Sequence, residues 1–163
     1  MIPKIKNILY ATDLSSNSAY AFRYAINSAQ KHDAKIHILH VLEKISPSME
    51  ALISTYLSDE GMKKIKQEKH QAQIDQVKRR LKDFAENELK DNPEELKRVA
   101  SVVVLEGDPA AEILDKVDSL NCDIVIMGSH GKGLIGHAFL GSVSEKVLRQ
   151  IQKPIFIIPI PKK

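Results

Sequence analysis

The chain has 163 residues, and its 24 Lys and Arg residues against 21 Asp and Glu residues leave a formal net charge of +3 at pH 7. Hydrophobic residues make up 43% of the sequence, which is enough for a folded core and excludes an intrinsically disordered chain. The weak positive charge and the 5% of aromatic residues argue against a nucleic-acid-binding surface. No apolar run approaches the roughly 18 residues of a membrane-spanning helix.

The cysteine content and the N-terminus predict a soluble cytoplasmic protein. Cys122 is the only cysteine, so neither an internal disulfide nor a zinc site built from several cysteines can form. The segment from Met1 to Lys6 lacks the apolar stretch of a signal peptide. Because Cys122 comes just before an apolar segment, we interpret it as an inert core or rim residue rather than as a nucleophile.

Five apolar segments predict β-strands. Their sequences run apolar without alternation, which is typical of strands covered on both faces of a parallel sheet. The predicted strands are Ile5–Ala11, Lys35–Val41, Val99–Leu105, Asp123–Met127 and Ile155–Ile158.

The segments between these strands show helical spacing. The helical stretches are predicted around Ala19 to Ala29, from Ile74 to Leu89, from Asp108–Pro109 onward, and from Ser142 to Ile151. Pro47 and Gly61 bracket a short helix or flap between Ser46 and Met62, to which we assign no role. The alternation predicts one α/β domain over residues 1–163, a Rossmann-like, doubly wound, open five-stranded parallel sheet in the order 3-2-1-4-5 with helices on both faces.

The loop after the first predicted strand contains a carboxylate. In open α/β sheets, ligands bind beyond the carboxyl ends of the strands, where the strand order reverses. Asp13 follows that strand end directly and could accept a hydrogen bond from a ribose or base, or approach a metal ion. Alternatively, Asp13 satisfies amides of its own turn or of the next helix, and the residue alone favours this interpretation.

The loop after the fourth predicted strand is rich in glycine. Five of the fifteen residues from Gly128 to Ser142 are glycines, which let backbone N–H groups approach an anion at the start of a helix. The hydroxyls of Ser142 and Ser144 and the side chains of His130 and Lys132 add donors. A capping box between Ser142 and Glu145 would instead explain Ser142 without a ligand, and the glycines would then only let the loop turn.

Two familiar nucleotide-binding motifs do not fit this loop. The stretch from Gly131 to Gly136 matches G-x-G-x-x-G, but it follows the fourth strand, and no acidic residue lies about 20 residues beyond it. The P-loop motif fails because Leu134 and Ile135 stand where Lys and Ser or Thr are required.

The spacing Gly128-x2-Gly131-x9-Gly141-Ser142 resembles the universal stress protein family. The resemblance extends over essentially the whole chain and includes the segments Ile8–Ser15 and His40–Glu43. Members of this family that carry the glycine pattern bind ATP, so the resemblance implies that this chain belongs to the nucleotide-binding branch.

The same resemblance implies a role for each matching residue. Ala11, Thr12 and Asp13 would lie beside the adenosine, the backbone of Val41 would meet the adenine edge, and Met127 would line the pocket. The phosphates would be surrounded by Gly128, His130, Gly131, Gly141, Ser142, Val143 and Ser144. Lys132 would make an outer phosphate contact where many relatives carry Arg, which gives up bidentate geometry. Mg²⁺ would bridge phosphate oxygens, with Asp13 as the carboxylate that could approach it.

The remaining histidines do not predict a metal site built from protein groups alone. No His-Glu-x-x-His pair occurs, and His37 and His40 lie three residues apart on a strand and therefore face opposite sides. We interpret His32 and His70 as surface helix residues and His137 as an exposed loop residue that could instead contact phosphate.

The last predicted strand lies in the segment Pro154–Pro159, which carries no charge, and its flanking prolines suit the edge of a sheet. The resemblance implies a homodimer that pairs this strand across a two-fold axis. Alternatively, a loop of the same chain covers the edge.

Three functions remain open from the sequence. A nucleotide-dependent regulatory module in a stress response is preferred because no catalytic set is identifiable. A slow ATPase or an enzyme that autophosphorylates at Ser142 or Ser144 is the first alternative, with at most weak ATP hydrolysis expected. A nucleotide-independent interaction or chaperone-like protein is the second. The downstream protein partner is not predicted.

Overall fold

Five strands form one parallel sheet in the computed structural model, which describes residues 1–15, 18–44, 46–56, 60–130 and 140–159. In chain order the strands are β1 (Asn7–Ala11), β2 (Lys35–Glu43), β3 (Val99–Gly107), β4 (Ile124–Gly128) and β5 (Ile155–Ile158). They lie side by side in the order β3-β2-β1-β4-β5, and every pairing is parallel. The predicted fold class and strand order are confirmed.

Helices cover both faces of the sheet. They are α1 (Ser18–His32), α2 (Pro47–Tyr56), α3 (Glu60–Glu88), α4 (Pro109–Ser119) and α5 (Ser142–Gln150), and a 3-10 helix spans Pro93–Arg98. On one face, Phe22 of α1 and Leu81 of α3 are completely buried against the sheet. On the other face, Ile113 of α4 and Val147 of α5 belong to a second buried cluster. Strands covered on both sides explain the unbroken apolar runs in the sequence.

Two strands start later than predicted, where the Asp123 side chain binds main-chain amides, and β2, β3 and β4 end two, two and one residues later than predicted. The Asp123 Oδ2 atom accepts hydrogen bonds from the amides of Lys6, at 2.7 Å, and Asn7, at 2.9 Å. β1 therefore begins at Asn7 rather than Ile5, and β4 begins at Ile124 rather than Asp123. This carboxylate ties the amino ends of two central strands together.

The second predicted helix begins well before the segment that shows apolar periodicity. α3 begins at Glu60, and Gly61 lies inside it rather than marking its boundary. The short helix bracketed by Pro47 is present as α2. Among the described side chains in the first half of α3, Lys64, Gln67 and Glu68 are exposed. The exposure of these side chains agrees with the lack of apolar rhythm in this part of the sequence, and the periodic pattern starts at Ile74.

The N-termini of α4 and α5 are built differently. Asp108 caps α4 by accepting the amide hydrogen of Ala111 at 3.0 Å, and Pro109 occupies the first turn, as predicted. The N-cap of α5 is Gly141, and no side chain makes a capping hydrogen bond there. The capping-box explanation of Ser142 was therefore wrong, since Ser142 is the first helical residue rather than the cap.

No helix in the described ranges is long and apolar enough to cross a membrane.

Candidate functional site

A cleft of about 510 Å³ opens at the carboxyl edge of the sheet, beside β1, where the strand order reverses. This volume lies within the range of about 300–1,000 Å³ typical of small-molecule sites. All the predicted site residues that the structure describes line this cleft: Ala11, Thr12, Asp13, Val41, Met127, Gly128, His130, Gly141, Ser142, Val143 and Ser144. Gly131 and Lys132 lie outside the described residues.

The β1 side of the cleft is a turn stabilised by its own side chains. The Thr12 Oγ1 atom accepts the amide hydrogen of Leu14 at 3.1 Å, and the Asp13 Oδ1 atom accepts that of Ser15 at 3.0 Å. Leu14 has a φ of 59°, in the left-handed region that residues other than glycine rarely adopt. The interpretation that Asp13 satisfies an amide of its own turn is therefore confirmed for its Oδ1 atom.

A histidine on the neighbouring strand holds this turn in place. The His40 Nδ1 atom donates a hydrogen bond to the carbonyl oxygen of Thr12 at 2.7 Å, and the Thr12 amide donates to the carbonyl oxygen of Leu39 at 2.9 Å. His40 also lines the cleft. The sequence placed His40 within the resembling segment His40–Glu43 but assigned it no role in the site.

The β4 side of the cleft joins a strand end to a helix start. The Ser144 hydroxyl donates to the carbonyl oxygen of Gly128 at 2.9 Å, and only 4% of Ser144 is exposed. The Gly141 amide donates to the carbonyl oxygen of Ser129 at 2.8 Å. These two bonds fix the first turn of α5 beside the end of β4. Because the Ser144 proton points to Gly128, the exposed hydroxyl of Ser142 is the better placed of the two serines to meet a ligand.

His130 lines this side of the cleft and has one buried ring nitrogen. Its Nδ1 atom lies 2.8 Å from the hydroxyl oxygen of Ser129. Its Nε2 atom is buried and has no hydrogen-bond partner in the described part of the chain. Ser129 was not predicted as a functional residue, and its proximity in sequence to His130 is the only signal that could have identified it.

The described lining of the cleft contains no Lys or Arg, and its charged side chains are Asp13 and Glu43. Within this described lining, positive potential for an anion would come from the N-terminus of α5 and from polar N–H groups. Within the described ranges, no three or more His, Cys, Asp and Glu residues come close enough together to hold a metal ion.

The other residues singled out from the sequence lie away from the cleft. Cys122 is completely buried, and burial raises the pKa of its thiol to about 11, as expected for an inert core residue. His37 pairs with the Ser101 hydroxyl at 2.7 Å, and burial lowers its pKa. His32 lies on the surface, and His70 contacts Glu106 at 2.9 Å. His137 lies outside the described residues.

Comparisons with known proteins support one family. The profile of the universal stress protein family matches residues 4–159. Universal stress protein MJ0531 of Methanocaldococcus jannaschii is 30% identical, covering 97% of this chain and 84% of its own length. Universal stress protein MJ0577 of the same organism is 29% identical over 94% of each chain.

Solved structures agree with this assignment. The solved structure of the hypothetical protein MJ0577 has a TM-score of 0.62 at 25% identity, and the match covers 99% of this chain and 100% of that chain. A universal stress protein crystallised in complex with cAMP shares the fold, with a TM-score of 0.60 at 18% identity over 98% of this chain and 100% of its own. Since the family profile extends over nearly the whole sequence and the sheet has the fold of these relatives, the chain belongs to the universal stress protein family.

Proposed function

We propose that this chain binds ATP in the cleft at the carboxyl edge of its sheet and acts as a nucleotide-dependent regulatory module in a stress response. The observation that carries the proposal is the junction of β4 and α5, where the bond from Ser144 to Gly128 places the N-terminus of α5 in the wall of the cleft. Helix N-termini favour phosphate groups because their first amides are unpaired and their dipole is positive. The relative crystallised with cAMP adds support, since cAMP is also an adenine nucleotide.

The two sides of the cleft suit the two ends of the nucleotide. On the β1 and β2 side, the Asp13 carboxylate would accept from the ribose, and the backbone of Val41 would meet the adenine edge. Met127 would supply an apolar contact to the base. The phosphate side comprises Gly128, His130, Gly141, Ser142, Val143 and Ser144, and Gly131 and Lys132 would complete it. In this proposal Ser144 acts through its bond to Gly128.

Mg²⁺ would be bound mainly by phosphate oxygens. This ion commonly binds through one or two carboxylates together with substrate phosphates and water. The cleft fits this pattern because Asp13 and Glu43 are carboxylates in its wall. Bound there, the ion would neutralise part of the triphosphate charge.

Binding is favoured over catalysis by the position of the serine that contacts a histidine. Ser129 pairs with His130, but it is only 6% exposed and is not part of the cleft lining, so its hydroxyl is not placed to attack a phosphorus atom. Slow hydrolysis of ATP and autophosphorylation at Ser142 or Ser144 are the alternatives. Phosphate release no faster than that of an Asp13→Asn variant, with no added phosphate in the intact mass, would support a binding module.

Calorimetry on ligand-stripped protein tests the proposal directly. The ligands titrated in turn would be ATP with and without Mg²⁺, AMP, cAMP and adenosine. The matched control for Asp13→Asn is Asp118→Asn, which changes an exposed position near the end of α4. ATP at about 100 times its dissociation constant should raise the unfolding free energy by about 2.7 kcal/mol. Absence of heat and of any thermal shift with every nucleotide would favour a nucleotide-independent interaction protein.

We also propose a homodimer formed through the segment Pro154–Pro159. β5 lies at the edge of the sheet, and an unpaired edge strand readily pairs with a second chain. Phe156 on this strand and Leu148 on α5 are each 45% exposed.

We place the protein in the cytoplasm, because its single buried thiol requires no oxidising compartment.

A further inference from the structure

We infer that Ser129 is a positioning residue that fixes the tautomer of His130, so that the imidazole presents an Nε2–H donor to a phosphate group in the cleft. The inference rests on the proposed function, since it specifies how that site recognises the charged part of a nucleotide. Two observations carry it: the 2.8 Å contact between the Ser129 hydroxyl and His130 Nδ1, and the burial of a His130 Nε2 atom that lacks a partner among the described residues.

The direction of the Ser129–His130 hydrogen bond follows from counting satisfied groups. If His130 Nδ1 carried the ring proton and donated it, the hydroxyl hydrogen of the buried Ser129 would have no acceptor among the described residues, and the lone pair on Nε2 would also lack a partner there. If Ser129 donates to Nδ1, its hydroxyl is satisfied and the ring proton resides on Nε2. Because each buried unsatisfied polar group is costly, the second arrangement is favoured.

The main chain holds Ser129 so that it can act in this way. The Ser129 amide donates to the carbonyl oxygen of Ile158 at 2.8 Å, and its carbonyl oxygen accepts the amide hydrogen of Gly141 at 2.8 Å. The residue is therefore fixed between β5 and the start of α5, and its side chain can orient the neighbouring imidazole.

The remaining Nε2–H is a buried donor on a residue that lines the cleft together with Gly128 and Gly141. A phosphate oxygen accepts such a bond strongly because it is charged. An adenosine without phosphate leaves the donor unsatisfied. The pair should therefore distinguish phosphorylated ligands from the free nucleoside.

A double-mutant cycle tests the inference by calorimetry with ATP and adenosine. Gln places its side-chain amide nitrogen near the position of a histidine Nε2, so His130→Gln should keep a donor that no longer depends on Ser129. Removing the donor in His130→Ala should weaken ATP binding by about tenfold or more, and Ser129→Ala by about threefold to tenfold, with adenosine affinity unchanged. In the His130→Gln background, Ser129→Ala should change ATP affinity by less than about twofold.

Ser129→Thr retains the hydroxyl and is the control for changes in packing. A thermal melt of each ligand-free variant shows whether it is folded. The inference would be overturned if Ser129→Ala lost ATP and adenosine affinity equally. It would also be overturned if Ser129→Ala lowered ATP affinity as much in the His130→Gln background as in the unmodified chain. Either result would show that Ser129 has a general structural role. Normal ATP binding by both single variants would overturn the inference alone, whereas failure of the unmodified chain to bind any nucleotide would overturn the proposed function with it.

Discussion

The His40 imidazole donates its Nδ1 hydrogen to the carbonyl oxygen of Thr12 across 2.7 Å, between residues 28 positions apart in the chain. The acceptor is a main-chain carbonyl, so Nδ1 must carry a proton in this contact. The bond joins the turn after β1 to the neighbouring strand β2 and thereby sets the position of Asp13 in the cleft. The shape of the proposed adenosine site therefore depends on a side chain outside the turn.

Replacing His40 by leucine should loosen this turn. His40→Leu removes the donor and leaves the Thr12 carbonyl oxygen without its side-chain partner, so the free energy of unfolding should fall by about 1–3 kcal/mol. ATP affinity should fall as well, because Asp13 would no longer be held in place. Urea denaturation and calorimetry measure the two effects.

Asparagine at this position is the matched control. The amide nitrogen of Asn lies near the place of a histidine Nδ1, so His40→Asn should recover most of the stability and affinity. Equal losses in the leucine and asparagine variants would show that ring packing, rather than the hydrogen bond, is responsible.

The two serines of α5 should behave differently when each is replaced by alanine. Ser144→Ala leaves the carbonyl oxygen of Gly128 without its hydroxyl donor and should lower the free energy of unfolding by about 1–2 kcal/mol even without ligand. Ser142 is exposed and makes no capping bond, so Ser142→Ala should change stability by less than about 0.5 kcal/mol. Its ATP affinity should still fall by about threefold to tenfold.

Denaturant titration and calorimetry on both serine variants separate these effects. A stability loss in Ser142→Ala as large as that in Ser144→Ala would contradict the assignment of Ser142 to ligand contact alone.

Cys122 should react slowly in the folded protein and faster after unfolding. Burial raises the pKa of its thiol from the ordinary value of 9.0 to about 11, so at neutral pH the thiolate fraction is roughly 100-fold smaller than in the unfolded chain. The unfolded thiol ionises first as pH rises, so stability present below about pH 9 should be lost between pH 9 and about 11. Iodoacetamide labelling with and without urea, and melting temperature against pH, measure these effects. Rapid labelling of the folded protein would contradict the buried position.

A lysine on the edge strand should disrupt the proposed homodimer. Phe156→Lys introduces a charge onto β5, and charged side chains on an edge oppose pairing with another chain. We expect the mass measured by light scattering at micromolar concentration to change from that of a dimer to that of a monomer. Tyr24→Lys is the control, because Tyr24 is also 45% exposed but lies on α1. A monomeric mass for the unmodified chain would contradict the proposal.

The fold was predictable because its strands carry a strong local signal. Unbroken apolar runs such as that around Ile126 reflect burial on both faces. The boundaries at Asn7 and Ile124 were not predictable, because they depend on an Asp123 contact to a residue 116 positions away. The error at Ser142 was a shift of one residue, since Gly141 takes the cap position.

The candidate site was predictable to the extent that it follows from topology. Asp13 and Gly128 come together because the carboxyl ends of neighbouring parallel strands meet at one edge of the sheet. His40 and Ser129 were missed because they act on the atoms of other residues. Which carbonyl or ring nitrogen they contact is decided by packing and leaves no pattern in the sequence.

The hydrogen bond from the Ser129 amide to the carbonyl oxygen of Ile158 has a consequence for the proposed homodimer. It joins the residue beside the phosphate side of the cleft to the last residue of the edge strand. If a nucleotide shifts Ser129, the same displacement reaches β5, and the thermodynamic cycle then requires reciprocity. In the proposed homodimer, the factor by which ATP strengthens or weakens subunit association would equal the factor by which association changes the affinity for ATP.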